Sequence, residues 1–592
     1  MNTPASPRWD LTPLYPSPRS EALSADLDAL DALAEAFRDR WQGKVAGLDP
    51  AGLLAALGDY EALLRAAYLP QGYTGLLVST DNLDDTVKAL QARVGERATE
   101  AFNKARFFDL ELSRCPAETH ARWALEPSLG VYRHYLQRAQ EVAPFQLPQE
   151  VENVLATKNL TGRRAWTQFY DEHTARWTFP FTVRGETRDR NLAELRALRT
   201  DPDRDVRKRA VEAMLTRFEA EAPIFAFIAN TLYQDHRSEL ALRGHRSPEA
   251  PTLLDDELTE GALDGLMTAV EAHYPVAQEY YRLKARALGL DKLETCDLLA
   301  PYPQDERELP WESARDQVLD AFSALDPGVR SLAEAFFREQ RIDAEPRAGK
   351  RDGAFCASLV PGRAPYVFMN YTGRLHDVLT LAHELGHGVH FALAGDRQAL
   401  LNYWPTTPLA ETASVFAEMV LSRDLLSRER DPLARRQLLA TRIEEALGTI
   451  HRQVCFVRYE RNAHARRAEG VLSTGDFRAL WEREHRRLYA DAVTYTERDT
   501  WAWPGISHLF HYRFYCYSYA FGQLLVFALY RLWEDDPKGF VPKYLELLSS
   551  GGRDSPPALL ARVGIDVSDP GFWSRGLEVV TRMVEEFRAE VP

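Results

Sequence analysis

Apolar residues recur at three- and four-residue steps through most of this chain, which is the spacing of amphipathic α-helices. Leu23, Leu27 and Leu30 show this step near the N-terminus. The same pattern fills the ranges 205–245, 262–290, 314–340 and 433–490. No internal repeat of fixed period divides the chain. The sequence therefore predicts a mainly α fold.

The length of the chain sets a second constraint. Its 592 residues exceed what a single hydrophobic core supports, so we expect a large, multi-lobed structure. Hydrophobic residues make up 45% and charged residues 27%, as in ordinary folded proteins. This composition excludes a largely disordered chain.

Acidic side chains outnumber basic ones, with 87 Asp and Glu against 72 Lys and Arg and a net charge of −15. Because this charge repels phosphate backbones, no nucleic-acid partner is expected, and we interpret the basic cluster at 204–209 as a solvated helix face. No apolar run approaches the ~18 residues of a membrane span, and the N-terminus lacks the apolar core of a secretion signal. The five cysteines are widely separated, which argues against a disulfide framework. We expect a cytoplasmic protein without a membrane partner.

One segment departs from the helical pattern. Between Gly353 and Tyr371, β-forming residues lie on both sides of the turn dipeptide Pro361-Gly362. This pattern predicts a hairpin or two paired strands. The chain should therefore contain one small β-sheet just before its strongest motif.

That motif is His383-Glu384-Leu385-Gly386-His387, an HExxH sequence. Two imidazoles four residues apart lie ~40° apart around a helix, so both can reach one metal ion, with Glu384 turned toward a bound water. The apolar stripe of residues 377–393 falls on the other side of the predicted helix. Gly386 and Gly388 each cost about 0.8–1.0 kcal/mol inside a helix. We expect another backbone or a substrate to approach them closely.

A catalytic zinc ion usually takes three protein ligands and keeps a fourth position for water. Downstream of the motif, Thr407 as N-cap and Pro408 at the first helical position predict a helix that continues through Glu418. Glu411 and Glu418 lie seven residues apart on one face of this helix. We expect Glu411 to be the third ligand and Glu418 to hold one imidazole in its metal-binding tautomer.

Three separated segments, 353–356, 378–387 and 410–416, occur in the order found in one enzyme family. In this respect the chain closely resembles the oligoendopeptidase F branch of the thimet oligopeptidase family of zinc metallopeptidases. The opening segment 9–15, Trp-Asp-Leu-Thr-Pro-Leu-Tyr, resembles the same branch. The likeness thus extends over most of the chain.

The resemblance implies that His383, His387 and Glu411 bind one zinc ion per chain and that Glu384 is the catalytic carboxylate. It also implies a large multi-helix, two-lobed peptidase fold that encloses a deep channel, with the small β-sheet beside the zinc site. We expect an N-terminal helical region over residues 1–195 and a catalytic zinc-peptidase region over residues 196–592. Short peptides are the expected substrates.

A fourth element lies far downstream. His508, Tyr512, Tyr515 and Tyr519 fall at i, i+4, i+7 and i+11 and predict one helical face of hydrogen-bonding groups. Members of the family use a histidine and tyrosines in this region to bind the substrate and the developing oxyanion. The resemblance implies catalytic roles for His508 and Tyr515 and a substrate contact for Tyr519, with Tyr517 as an alternative to either tyrosine.

Gly353 and Ala354, at the start of the predicted hairpin, are expected to contact the substrate. An edge strand beside the metal would offer free N–H and C=O groups to an extended peptide. The predicted reaction is hydrolysis of internal peptide bonds, in which Glu384 takes a proton from water and passes it to the leaving amine.

Two other functions share parts of this pattern. A zinc carboxypeptidase also has HExxH and a downstream glutamate, but it needs a basic side chain for the terminal carboxylate, and the branch-specific motifs argue against it. A peptide-binding protein that has lost catalysis is disfavoured by the intact Glu384 and the complete ligand set. The sequence does not distinguish zinc from Mn or Co.

Overall fold

The computed structural model describes residues 7–302 and 308–591. Most of these residues are helical, and the strands form three small sheets. The predicted mainly α fold is confirmed. Among the described residues, no helix is both long enough and apolar enough to cross a membrane.

The helices of the described residues follow one another along the whole chain. They are α1 (Glu21–Trp41), α2 (Pro50–Thr80), α3 (Asp85–Ala105), α4 (Phe107–Ser113), α5 (Ala117–Ala124), α6 (Arg133–Val142), α7 (Gln149–Asn159), α8 (Arg163–Ala175), α9 (Leu192–Ala197), α10 (Arg204–Ala220), α11 (Ala222–Arg243), α12 (Ala250–Asp255), α13 (Glu260–Ala272), α14 (Tyr274–Ala287), α15 (Trp311–Leu325), α16 (Pro327–Arg338), α17 (Leu375–Gly395), α18 (Thr407–Ala410), α19 (Thr412–Arg428), α20 (Pro432–Ala446), α21 (Arg452–Glu469), α22 (Thr474–Tyr489), α23 (His508–His511), α24 (Cys516–Asp535), α25 (Pro537–Ser549), α26 (Pro556–Arg562) and α27 (Pro570–Glu590). The strands are β1 (Phe179–Val183), β2 (Glu186–Arg190), β3 (Leu293–Glu294), β4 (Ile342–Asp343), β5 (Phe355–Ala357), β6 (Tyr366–Phe368) and β7 (Val493–Thr494).

The chain divides into two compact units, each built from three stretches. The first unit comprises the described residues of Met1–Pro144, Arg307–Ser427 and Leu532–Asp566. The second comprises those of Phe145–Glu306, Arg428–Arg531 and Val567–Pro592. We expect the N-terminal helical region to end at residue 195 and the catalytic region to begin at residue 196. This boundary stays a prediction, and so does the deep channel.

In the first unit, α1, α2 and α3 pack against one another and bury an apolar core that includes Leu57, Leu63 and Phe108. The opening segment of the sequence does not pack on these helices alone. The indole of Trp9 lies edge-on to the ring of Tyr366 in β6, with ring centroids 6.0 Å apart. The N-terminal motif therefore also covers the small sheet.

The predicted hairpin is confirmed. β5 pairs antiparallel with β6, so that Phe355 faces Phe368 and their rings stack 4.8 Å apart. β4 pairs parallel with the other side of β6, which gives the order β4-β6-β5 and leaves β5 at the edge. Both β5 and β6 pack against α17, the helix that carries the HExxH motif.

Two glycines allow neighbouring elements to approach α17. A Cβ atom at Gly386 would lie 2.6 Å from the carbonyl oxygen of Ala413 and 2.7 Å from the Cα of Ser414. A Cβ at Gly388 would overlap the ring of Phe336 in α16. The predicted close approach of a backbone is confirmed at Gly386, whereas the neighbour at Gly388 is an aromatic side chain and not the expected backbone or substrate.

The helix predicted to begin at Thr407 differs from the structure in two respects. The N-cap is Thr406, whose backbone is extended, with φ −65° and ψ 157°. The helix is also interrupted at Glu411, where φ is −86° and ψ is 3°, and it resumes as α19. The carbonyl of Glu411 accepts a hydrogen bond from the Val415 N–H over 3.1 Å, so helical bonding resumes directly after the interruption.

In the second unit, α20 and α21 are joined by a π-helical turn, Leu447–His451, and α20 packs on α27. The prediction that the basic cluster at 204–209 forms a solvated helix face is wrong for Arg207. This side chain is 4% exposed and donates to the buried Asp297 over 3.0 Å. Arg204 donates to the same carboxylate, so the cluster is partly an internal ion-pair network.

Gly386→Ala is expected to lower the midpoint of thermal unfolding, because the new methyl group would overlap the backbone of α19. Overpacking of this kind costs about 1–3 kcal/mol, more than the ~1 kcal/mol that alanine gains over glycine in a helix. Gly95→Ala in α3 is the matched control. Its Cβ would meet no atom of the described residues within 4 Å, so this substitution should raise the midpoint. A Gly386→Ala protein as stable as the parent would contradict the close contact.

Candidate metal centre

α17 presents His383 and His387 on the same side, one helical turn apart. Their ring centroids are 4.9 Å apart, with the ring planes at 81°. Leu381 and Leu385, on the other side of the helix, are fully buried. The apolar stripe thus fixes the helix in the core and leaves the two partly buried imidazoles directed away from it.

Glu411, at the interruption between α18 and α19, completes the cluster. Its Oε2 lies 3.3 Å from Nε2 of His383 and 3.3 Å from Nε2 of His387. The three side chains offer ligand atoms that all lie within 4.8 Å of one another. Ser414 Oγ donates to the same carboxylate oxygen over 2.7 Å. Two imidazole nitrogens and one carboxylate oxygen are a donor set that suits zinc with an open fourth position.

Glu418 lies on α19, seven residues after Glu411. Its side chain lies beside His383, as the sequence predicts. Its Oε1 is 2.6 Å from the Nδ1 of that imidazole. When Nδ1–H donates to this carboxylate, the lone pair of the ring is on Nε2, the atom that faces Glu411. This contact favours the His383 tautomer in which the lone pair is on Nε2, facing Glu411.

The charges of the cluster shift its proton affinities. Burial alone would lower the pKa of His383, but the hydrogen bond and charge of Glu418, with the charges of Glu411 and Glu384, raise it to about 9. Burial raises the pKa of Glu411, whereas its hydrogen bond and charge interaction with His387 lower it to about 2. In the metal-free protein His383 is therefore protonated near neutral pH, and a bound cation would replace that proton.

Glu384 is buried in the same place, with 5% of its surface exposed. Burial raises the pKa of its carboxyl group, and the neighbouring imidazoles of His383 and His387 oppose that rise. Its buried Oε2 has no hydrogen-bond partner within the described part of the chain. An unpaired carboxylate oxygen beside three convergent ligand atoms fits a site that takes a metal ion and a water molecule.

The downstream histidine and tyrosines lie in the second unit, and the single helix predicted for them is wrong. α23 ends at His511 and α24 begins at Cys516, with Phe514 between them in the left-handed region at φ 52°. This turn nevertheless brings the predicted residues together. The His508 ring is nearly parallel to that of Tyr515, with centroids 6.0 Å apart, and its Nε2 is 3.2 Å from the hydroxyl of Tyr519.

Partners that sequence reasoning missed hold this turn. Glu460 on α21 accepts a hydrogen bond from the N–H of Phe514 over 2.9 Å, and Arg513 donates to Asp235 over 3.0 Å. Tyr517 is fully buried, and its hydroxyl donates to Asp256. The sequence offered one signal of these contacts, because Glu460 is an acidic residue on the apolar side of a predicted helix.

Gly353 and Ala354 come directly before the edge strand β5. The φ of Gly353 is 88°, in the region that favours glycine, although a Cβ there would meet no atom within 4 Å in the part of the chain that the structure describes. Glycine is therefore favoured here by the backbone angle and not by a close neighbour, and the space beside it is open. The structure places both residues next to the strand that packs on α17.

The stability of the protein is expected to fall with rising pH through Glu460. Burial raises the pKa of this carboxyl group to about 8, although the Phe514 N–H lowers it. An unfolded glutamate titrates near ~4.3, so the stability contributed by neutral Glu460 is complete below that pH and is lost as the pH rises through about 8. Between about pH 5 and about pH 9, the thermal midpoint of the wild type should fall relative to that of Glu460→Gln.

Glutamine keeps the oxygen that accepts the Phe514 N–H but carries no charge. Glu212→Gln, at a side chain that is 54% exposed, serves as the control and should show a constant difference from the wild type over this pH range. A difference between the wild type and Glu460→Gln that does not change with pH would contradict the prediction.

Sequence comparisons identify relatives over almost the whole chain. The model of peptidase family M3 matches residues 197–579, and that of Oligopeptidase F matches residues 111–179. Oligopeptidase PepF of Bacillus subtilis (strain 168) is 23% identical over 589 residues, which cover 98% of this chain and 86% of that protein. An oligoendopeptidase F homolog of Lactococcus lactis subsp. lactis (strain IL1403) is 24% identical over 586 residues, or 98% of this chain and 96% of the relative.

Solved structures share the fold. A peptidase from Chlamydophila abortus superimposes with a TM-score of 0.89 at 22% identity, covering 99% of this chain and 98% of the other. Oligoendopeptidase-F from Enterococcus faecium gives a TM-score of 0.69 at 21% identity, with coverage of 96% and 97%. The match to the M3 model spans well over half of the residues of this chain. The chain therefore belongs to peptidase family M3 and is a metalloendopeptidase.

Proposed function

We propose that the protein is a zinc-dependent endopeptidase that hydrolyses internal bonds of short oligopeptides, with Glu384 as general base. Membership of the M3 family implies peptide substrates. The names of the relatives, oligopeptidase and oligoendopeptidase F, support short peptides as the substrate class. The observation that carries the proposal is the convergence of His383, His387 and Glu411 beside the unpaired carboxylate oxygen of Glu384.

His383 and His387 would hold the metal through Nε2 and Glu411 through a carboxylate oxygen. When bound, a zinc ion supplies a Lewis acid that polarises the scissile carbonyl and acidifies a water molecule. Glu418 keeps the proton of His383 on Nδ1, so that Nε2 stays available as a ligand. Imidazole and carboxylate donors without thiolate agree with zinc and also accommodate Mn or Co.

Glu384 moves the proton in this mechanism. Its carboxylate accepts a proton from the attacking water, whose oxygen adds to the carbonyl carbon, and then gives that proton to the nitrogen of the leaving amine as the C–N bond breaks. The raised pKa of Glu384, which its burial causes, brings its proton affinity closer to neutral pH and supports both transfers. One water is consumed, and the enzyme returns to its starting state.

The substrate is proposed to add to the open edge of β5 as an extended strand, beside Gly353 and Ala354. We assign His508 and Tyr515 as donors to the substrate and to the developing oxyanion, and Tyr519 as a substrate contact. Tyr517 is the weaker candidate because its hydroxyl is buried and already donates to Asp256. The cytoplasmic location and the expected lack of nucleic-acid and membrane partners stay predictions.

Digestion of peptides of graded length tests the function. The wild-type protein is expected to cleave internal bonds, to lose activity with a chelator and to regain it with zinc, with fragments identified by mass spectrometry. Glu384→Gln should lower kcat by ~10²–10⁴-fold while it keeps one metal ion per chain, because the general base is lost but the ligands remain.

Glu100→Gln, on the exposed side of α3, is the control and should keep the wild-type kcat. Release of single C-terminal residues alone would support the carboxypeptidase instead. Near-full activity of Glu384→Gln would remove this carboxylate from the mechanism.

Single substitutions separate the three tyrosines. Tyr515→Phe should lower kcat by ~10²–10³-fold with little change in KM, the usual loss for one oxyanion donor. Tyr519→Phe should mainly raise KM, since it removes a substrate contact. Tyr517→Phe should lower the thermal midpoint with less effect on kcat, since it takes a donor from the buried Asp256. An unchanged kcat in Tyr515→Phe would exclude it as the donor.

A further inference from the structure

The second unit contains a cavity that no step of the proposed hydrolysis uses. Its volume is about 170 Å³, enough for a small molecule and not only for a single water. Residues of α10, α21 and α22 form much of its wall, together with the 3₁₀ helices Leu198–Thr200 and Arg498–Gly505. Met214, Leu215 and Phe218 give one side an apolar surface.

Three arginines, Arg196, Arg199 and Arg452, line this cavity. Asp499 is the acidic residue among the lining side chains, and its carboxylate is occupied by neutral donors. Thr295 Oγ1 donates to it over 2.5 Å, and the N–H of Thr496 over 2.7 Å. The cavity therefore carries an excess of positive charge that this carboxylate only partly balances.

Two donors in the wall are buried without a hydrogen-bond partner within the ranges 7–302 and 308–591. They are Nε of Arg452 and Nε1 of Trp481, whose residue is only 2% exposed. Arg196, the exposed member of the three arginines, donates to the Gly505 carbonyl over 3.0 Å. Buried donors in native proteins normally have partners, so two unpaired ones in a single wall indicate a ligand that supplies acceptors.

The local chain geometry places these donors. Arg452 directly follows the π-helical turn Leu447–His451, a wider turn that often occurs at functional sites. Its guanidinium carbon lies 5.6 Å from the ring centroid of Phe456, one turn further along α21. The ring thus packs near the guanidinium, while Nε has no acceptor among the residues that the structure describes.

Like charges act on one another inside the cavity. Burial and the positive charges of Arg452 and Arg196 lower the pKa of Arg199 to about 10. Burial also lowers the pKa of His485 to about 4, so this lining imidazole is neutral near pH 7. The arginine charges are thus not offset by further ionised acids of the lining, and an anion would relieve their repulsion.

We infer that this cavity is a binding site for a small oxoanion, either an inorganic one or an organic carboxylate. The planar guanidinium groups of Arg199 and Arg452 match the geometry of a carboxylate or sulfate, to which they can donate in pairs. Trp481, another lining residue, carries an indole N–H that has no acceptor among the described residues and is a second kind of donor. The apolar side of the wall would contact the body of a carboxylate, whereas an inorganic ion would use the donors alone.

Isothermal titration calorimetry of the full chain tests this inference. Sodium sulfate and sodium benzoate are titrated separately, at a constant ionic strength that is set by chloride. We expect saturable binding of at least one probe, with one site per chain. Tighter binding of benzoate would identify an organic carboxylate, and tighter binding of sulfate an inorganic ion. Arg199→Gln and Arg452→Gln should each raise the dissociation constant at least tenfold.

Arg176→Gln is the matched control, because its side chain lies in the same unit, is 80% exposed and does not line the cavity. It should bind as the wild type does. The absence of saturable binding to the wild type would overturn the inference whether or not the variants fold. Equal binding by the wild type and by both cavity variants would also overturn it, since the probe would then occupy another place such as the metal centre.

Discussion

The contact between α17 and the start of α19 at Gly386 determines the geometry of the metal centre. A side chain at this position would meet the backbone of Ala413 and Ser414, so only glycine lets the two segments come this close. The same approach places the carboxylate of Glu411 within 3.3 Å of both imidazole Nε2 atoms. The glycine inside HExxH costs helix propensity, and it allows the three proposed ligand side chains to converge.

The second constraint is electrostatic. Three carboxylates and two imidazoles occupy one partly buried site, where Glu384 and Glu418 add negative charge beyond that of Glu411, the proposed ligand. Without a metal, a proton on His383 offsets part of this charge, as its raised pKa indicates. A divalent cation balances the carboxylates better than a single proton does, which is why this cluster is proposed as a cation site and not as a set of structural ion pairs.

The sequence predicted the features that depend on short spacing. His383 and His387 share a helix face because they are four residues apart, and the hairpin around Pro361-Gly362 follows from local turn chemistry. The break at Glu411 and the turn at Phe514 were not predictable in this way. Both lie beside partners distant in sequence, namely Gly386 of α17, which contacts the backbone of Ala413 and Ser414, and the buried carboxylate of Glu460. Regular helical spacing around His508 gave the correct set of neighbours for the wrong backbone conformation.

X-ray diffraction from crystals of the active enzyme, recorded on both sides of the zinc absorption edge, would test the metal centre most directly. We predict one anomalous peak per chain, in contact with Nε2 of His383, Nε2 of His387 and the carboxylate of Glu411. A peak bound by other residues, or active protein in which elemental analysis finds no transition metal, would contradict the proposed chemistry.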